Sequence, residues 1–166
     1  MKQLLIITLL LAVGACKLCA QSIAFPDMAD LVRLSSEQAD HILVGSNKFK
    51  VNDKKEVYGQ ILITYQSINK DKQAVKGESL VTGAFRTTND GTKLHTITYN
   101  TIYPAYIENL MKQIKKYGYR LTFKGVDNLR NIYIFDNQLN HVTVAMMVYH
   151  SNNSVEIRQK ELGIEP

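Results

Sequence analysis

Apolar and polar positions change their spacing several times along this chain, and each change marks an element. Residues 4–13 are uninterrupted apolar except for Thr8. Further on, Pro26, Asp27 and Asp30 suit a helix start, because proline lacks a donor that a first turn leaves unpaired and acids face its positive end. Ser35 and Gln38 have capping-box spacing, and Ala39, Ile42 and Leu43 continue as an apolar stripe that Gly45-Ser46 stops. The expectation over 27–44 is two short helices joined by a kink, or one bent helix. Residues 46–55 are polar and lysine-rich, with a brief strand around Phe49 and Val51 and a turn at Asn52-Asp53. Val57, Gly59, Ile61, Ile63 and Tyr65 then recur at period two, which predicts a strand. Residues 68–77 read as a charged loop ended by Gly77. Strands at about 79–88 and 93–102 flank Asp90-Gly91, a strong hairpin signal.

The clearest helix follows Tyr103-Pro104. Ile107, Leu110, Met111 and Ile114 form a single stripe, Lys112, Lys115 and Lys116 come late, and Gly118 is the stop. Four strands are expected next, at about 119–125, 131–136, 140–150 and 154–159. Both faces of the third are fairly apolar, which predicts a central strand covered on both sides.

Each half thus begins with an aromatic-Pro pair (Phe25-Pro26, Tyr103-Pro104), continues as a helical segment and ends in several strands. Helices followed by runs of strands with short turns predict α+β layers: amphipathic helices packed on a twisted antiparallel sheet. Residues 21–166 are expected to form one domain, with a tandem helix-then-strands repeat over 22–102 and 103–162 as a further reading. In outline this is similar to small bacterial envelope domains and to secreted inhibitors with repeated helix–sheet units, although no motif names a family.

The apolar run at the front decides the expected compartment. Met1-Lys2 is a basic start, residues 4–13 have the length of a secretory h-region, and small residues follow as far as Ala20. Residues 1–20 therefore read as a signal peptide, and the body is expected in the periplasm, at the outer membrane surface or secreted. Cleavage after Ala20 leaves Gln21 first. Alternatively, Val13-Gly14-Ala15-Cys16 resembles a lipobox, with lipid attachment at Cys16. Removing residues 1–20 lowers the formal charge from +5 to +3 and takes away Cys16 and Cys19, the only cysteines. The body then lacks disulfides, cysteine nucleophiles and cysteine-ligated zinc, so its stability must come from its core.

The sequence holds no His-Glu-x-x-His, phosphate loop, Gly-x-Ser-x-Gly elbow or dinucleotide fingerprint, so no cofactor, metal site or catalytic residue is assigned. His95 and Tyr99 share a strand face and could line a pocket together, whereas His141 and His150 point to opposite faces. Asp27 and Asp30, one helical turn apart, have a sufficient role at a helix start. The remaining candidate is basic and aromatic: Lys112, Lys115, Lys116, Tyr117, Tyr119, Arg120 and Lys124 cluster around the second helical region and the next strand. Such a patch suits an anionic lipid surface, an acidic glycan or an acidic protein. The leading expectation is an exported, non-enzymatic binding module for an envelope protein, glycan or anionic surface, without nucleic acid. The alternatives are a small hydrolase with a pocket near His95, Tyr99 or His150, and a structural lipoprotein anchored at Cys16.

Overall fold

The computed structural model describes residues 21–149 and 152–161; the expected leader, Cys16 and His150 lie outside them. Along the chain come α1 (Phe25–Leu31), α2 (Ser36–Gly45), β1 (Phe49–Val57), β2 (Gln60–Ile68), β3 (Ala74–Thr87) and β4 (Lys93–Thr101). Then follow α3 (Pro104–Lys116), β5 (Arg120–Asp127), β6 (Arg130–Asp136), β7 (Asn140–Met147) and β8 (Asn153–Gln159). All eight strands join one antiparallel sheet in the order β1-β2-β3-β4-β8-β7-β6-β5. The molecule is a mixed α+β fold dominated by its sheet.

The expected kink is the boundary between α1 and α2. Both arms of the capping box form there: Ser35 Oγ accepts from the Gln38 N–H at 3.3 Å, and Gln38 Oε1 accepts from the Ser35 N–H at 3.0 Å. No turn forms at Asn52-Asp53. β1 runs straight through, and its register shifts between Val51 and Asp53, so Asn52 sits in a bulge. The turn lies at Tyr58-Gly59, whose φ values of 51° and 74° are what a two-residue hairpin of matching twist requires. The expected loop over 68–77 is shorter too: Asn69 Oδ1 accepts from the N–H groups of Asp71 and Gln73 at 3.0 and 2.9 Å, and β3 resumes at Ala74.

One hydrophobic cluster joins Phe25, Met28 and Leu31 of α1, Ala39 and Leu43 of α2, and Ile107, Leu110 and Ile114 of α3 to alternate residues of the strands. β7 shows the alternation plainly. Val142 and Val144 are buried, while Thr143 and Ala145, which alternate with them, are half-buried, so the strand lies inside the sheet with one face covered fully and the other in part.

The two hairpins at the sheet edges have the same ladder. In β1–β2 the bulge at Asn52 is followed by Asp53–Val57 paired with 60–64 across a turn at 58–59. In β5–β6 the register shifts between Leu121 and Phe123, and Phe123–Asp127 pairs with 130–134 across a turn at 128–129. Superposing these ladders sets Tyr65 on Phe135. The cross-strand row Tyr65, Leu80, Tyr99 then falls on Phe135, Val142, Ile157, and all six are fully buried. The two rows run in opposite directions about the Thr98–Glu156 pair in the centre of the sheet. On the helices, the buried pair Ala39 and Leu43 has the same spacing as Leu110 and Ile114.

Candidate functional site

Lys112, Lys115 and Lys116 are exposed along α3, and Arg120 and Lys124 are exposed on β5. Between them, Tyr117 keeps about half its surface and meets the Phe25 ring edge-on at 6.1 Å. Tyr119 is different. It is 6% exposed, packs edge-on against Phe25 at 5.1 Å, and its hydroxyl accepts from Asn140 Nδ2 at 3.0 Å. The fold places it on the cluster side of the sheet, matching buried Phe49 in the other edge hairpin, so it serves the core. Lys124 Nζ lies 5.8 Å from the Tyr133 ring centroid, in cation–π range.

His95 and Tyr99 share a strand face, as their spacing requires, yet only His95 reaches open space. Tyr99 is fully buried, and burial, with the Glu78 carboxylate next in effect, raises its hydroxyl far above the usual range. His95 lines a cleft of about 540 Å³ beneath α2, together with Glu37 and Asp40 of α2, Lys54 of β1 and Lys93 of β4. Burial first, and then the Lys93 charge, lowers the His95 pKa and so favours its neutral form. Deeper in, Asp40 and Thr82 flank the Tyr65 hydroxyl. Burial raises the Tyr65 pKa, Thr82 opposes the rise, and Asp40 adds to it. No sequence motif signals this group, because its members come from a helix and separate strands.

The sheet's second face is made of the residues that alternate with the buried rows. One row across it reads Thr64, Val81, Thr98, Glu156, Thr143 and Ile134, each half-buried. Hydroxyl side chains at Thr64, Thr98 and Thr143 alternate along it with Val81, Glu156 and Ile134. Two glycines keep it low: a Cβ on Gly83 would run into Leu62 Cδ2, and one on Gly125 would meet the Phe123 ring. A charged network occupies one corner. Asp136 Oδ1 accepts from Lys160 Nζ at 2.6 Å and contacts His141 Nδ1 at 2.8 Å, while its Oδ2 accepts from Thr122 Oγ1 at 2.7 Å. Burial alone would raise the Asp136 pKa, but the bonds from Lys160, Thr122 and His141 prevail and hold it at about 2.

The two edges of the sheet contrast. β1 carries Asp53, Lys54, Lys55 and Glu56, the charges that discourage pairing with another strand. β5 has Leu121, Phe123 and Val126 at 47%, 51% and 72% exposure.

Among the described residues, no group of three or more His, Cys, Asp or Glu is placed to hold a metal ion, and no helix is long and apolar enough to cross a membrane. No family model, no curated protein and no solved structure matches the chain.

Proposed function

We propose that this chain is an exported, non-enzymatic binding module of a cell envelope, made of two fused copies of one helix-and-four-strand unit. In this reading the helices cover one face of the shared sheet, and the other face meets a protein partner. The observation that carries it is the make-up of the buried cluster. Every helix contributes to it, and the strands contribute the Tyr65 and Phe135 rows, while the Thr64–Ile134 row stays outside. The matching bulges, turn positions and ladders of the two edge hairpins support the fused-copy reading.

A protein is favoured over a glycan by dimensions. Eight strands about 4.8 Å apart span roughly 34 Å, and five or six residues per strand add about 18 Å. That gives some 600 Å², approaching the roughly 800 Å² that each partner contributes to a standard protein interface. Hydroxyl groups interleaved with apolar side chains also suit adaptable recognition. The basic residues of α3 and β5, with Tyr117 beside them, add an attraction for acidic partners that salt would weaken.

The test is affinity capture from envelope extracts with the mature domain and with Thr98→Arg, which plants a large charge in the middle of the row. A partner retained by the wild type and lost with Thr98→Arg is the expected result. Equal capture by both would refute the face as the site. Intact mass of the exported product tests the route of processing, since a chain starting at Gln21 and one acylated at Cys16 differ by a lipid.

A further inference from the structure

The two halves share their edge ladders, and several of the buried positions that these superpose differ in polarity, most closely grouped beneath α2. Superposed through their ladders, Tyr65 corresponds to Phe135 and Thr82 to Val144. These are near-isosteric pairs in which only the first half bears a hydroxyl. Aligning the buried helix pairs sets Asp40 on Met111. Asp40 Oδ1, Tyr65 OH and Thr82 Oγ1 are all buried and close enough to influence one another, yet none makes a well-formed hydrogen bond among the described residues. Buried polar atoms without partners oppose folding. The second half packs the same positions with apolar groups, so the backbone does not require the polar ones.

The space beside them differs in the same sense. Ile63, itself part of the core cluster, and Ala84 line the cleft; their counterparts Tyr133 and Met146 are larger and, with Met111, pack half-buried against that cluster. The first half therefore carries smaller side chains at the cleft than the second does at the matching positions. The cleft also divides its charges. Glu37 and Asp40 stand on the helix side, Lys54 and Lys93 on the strand side, and none of the four makes an ion pair among the described residues. A plain anion would meet the two carboxylates, and a plain cation the two ammonium groups.

We infer that this cleft binds a small zwitterion, such as an amino acid or the free ends of a short peptide. Its ammonium donates to Asp40, its carboxylate lies between Lys54 and Lys93, and the Tyr65 and Thr82 hydroxyls line the polar floor behind Asp40. The site goes beyond the protein-binding reading and does not depend on it.

The probe is glycylglycine, compared by calorimetry and NMR titration with its N-acetylated and its C-amidated forms. Glycylglycine is expected to bind, and blocking either end to weaken it at least tenfold. Asp40→Met, Tyr65→Phe and Thr82→Val combined copy the second half. That variant should lose binding yet unfold at a higher denaturant concentration than the wild type, because it removes unpartnered polar atoms. Tyr65→Phe alone is the mild version and should show both effects in smaller degree. Absence of binding at millimolar glycylglycine, indifference to blocked ends, or binding that survives the triple change would each overturn the inference. So would an unfolding midpoint that falls in Tyr65→Phe, which would make the hydroxyl structural. Thr98→Arg, on the opposite face, should leave dipeptide binding intact, which keeps this test separate from that of the protein partner.

Discussion

Leu110→Ala tests the packing on which the whole molecule relies. Leu110 is fully buried in the middle of the α3 stripe, between Ile107 and Ile114, and belongs to the cluster that also holds Phe25 and Ile157. The change removes three carbons, worth about 0.8 kcal/mol each on transfer from water, or about 2.4 kcal/mol. Neighbours relax only partly into the space left, and the cavity term brings comparable substitutions to about 2.7–5 kcal/mol. Helix propensity contributes little, since alanine and leucine are both strong helix formers. A domain of this size has about 5–15 kcal/mol of stability in total, so the loss is a large share of it. Urea unfolding should show a lower midpoint with an unchanged slope, the mark of altered stability without altered compactness. Leu121→Ala is the control, because Leu121 is 47% exposed on the β5 edge; its effect should stay within about 0.5 kcal/mol. If Leu110→Ala shifts the midpoint no more than Leu121→Ala does, α3 does not bury its stripe and the architecture is wrong.

Ser35→Ala should cost about 1 kcal/mol by removing one arm of the α2 capping box, measured in the same unfolding assay; no change would mean that solvent replaces the cap. Gly83→Ala should destabilise by about 1–3 kcal/mol, because the new Cβ meets Leu62 and comes within 2.8 Å of the Ile61 carbonyl oxygen. A neutral result there would show that the β2–β3 spacing is looser than described. Asp136 is held at about 2 against an ordinary 3.8, so folding favours its ionised form. That stabilisation is complete above about pH 4 and is lost as the pH falls through about 2. Asp136→Asn should therefore flatten the acid limb of the stability–pH curve in this window, by about 1 kcal/mol once partial exposure and screening are allowed for. An unchanged limb would remove Asp136 from the acid response.

Local signals in the sequence reached most of the elements. The capping box at Ser35, the stripe from Ile107 to Ile114 and the Asp90-Gly91 turn each act within a few residues, so their consequences are written locally. Asn52-Asp53 misled because a turn former on an edge strand has a second outlet, a bulge, which only the pairing partner reveals. The alternation from Val57 to Tyr65 concealed the turn at Tyr58-Gly59 for a similar reason, as Gly59 falls on an apolar beat by position alone. Tyr119 looked like part of a basic and aromatic surface until the fold fixed which side of β5 it faces. The cleft beneath α2 was the least legible feature. His95 was visible as a candidate, but Asp40 and Lys54 join it in the cleft only through the tertiary fold, and the contrast of Asp40 and Tyr65 with Met111 and Phe135 emerges only from the matched ladders.

The contrast between β1 and β5 has a further bearing on how such a molecule can change. In a symmetric pair of separate chains, each inherited substitution appears twice, once at either rim of the sheet, so a sticky rim would arise on both sides together and invite open-ended stacking. On the proposed fused-copy reading, joining the copies in one polypeptide removes that coupling. One rim can keep Asp53 and Glu56 as a barrier while the other exchanges the matching positions for Phe123 and Val126.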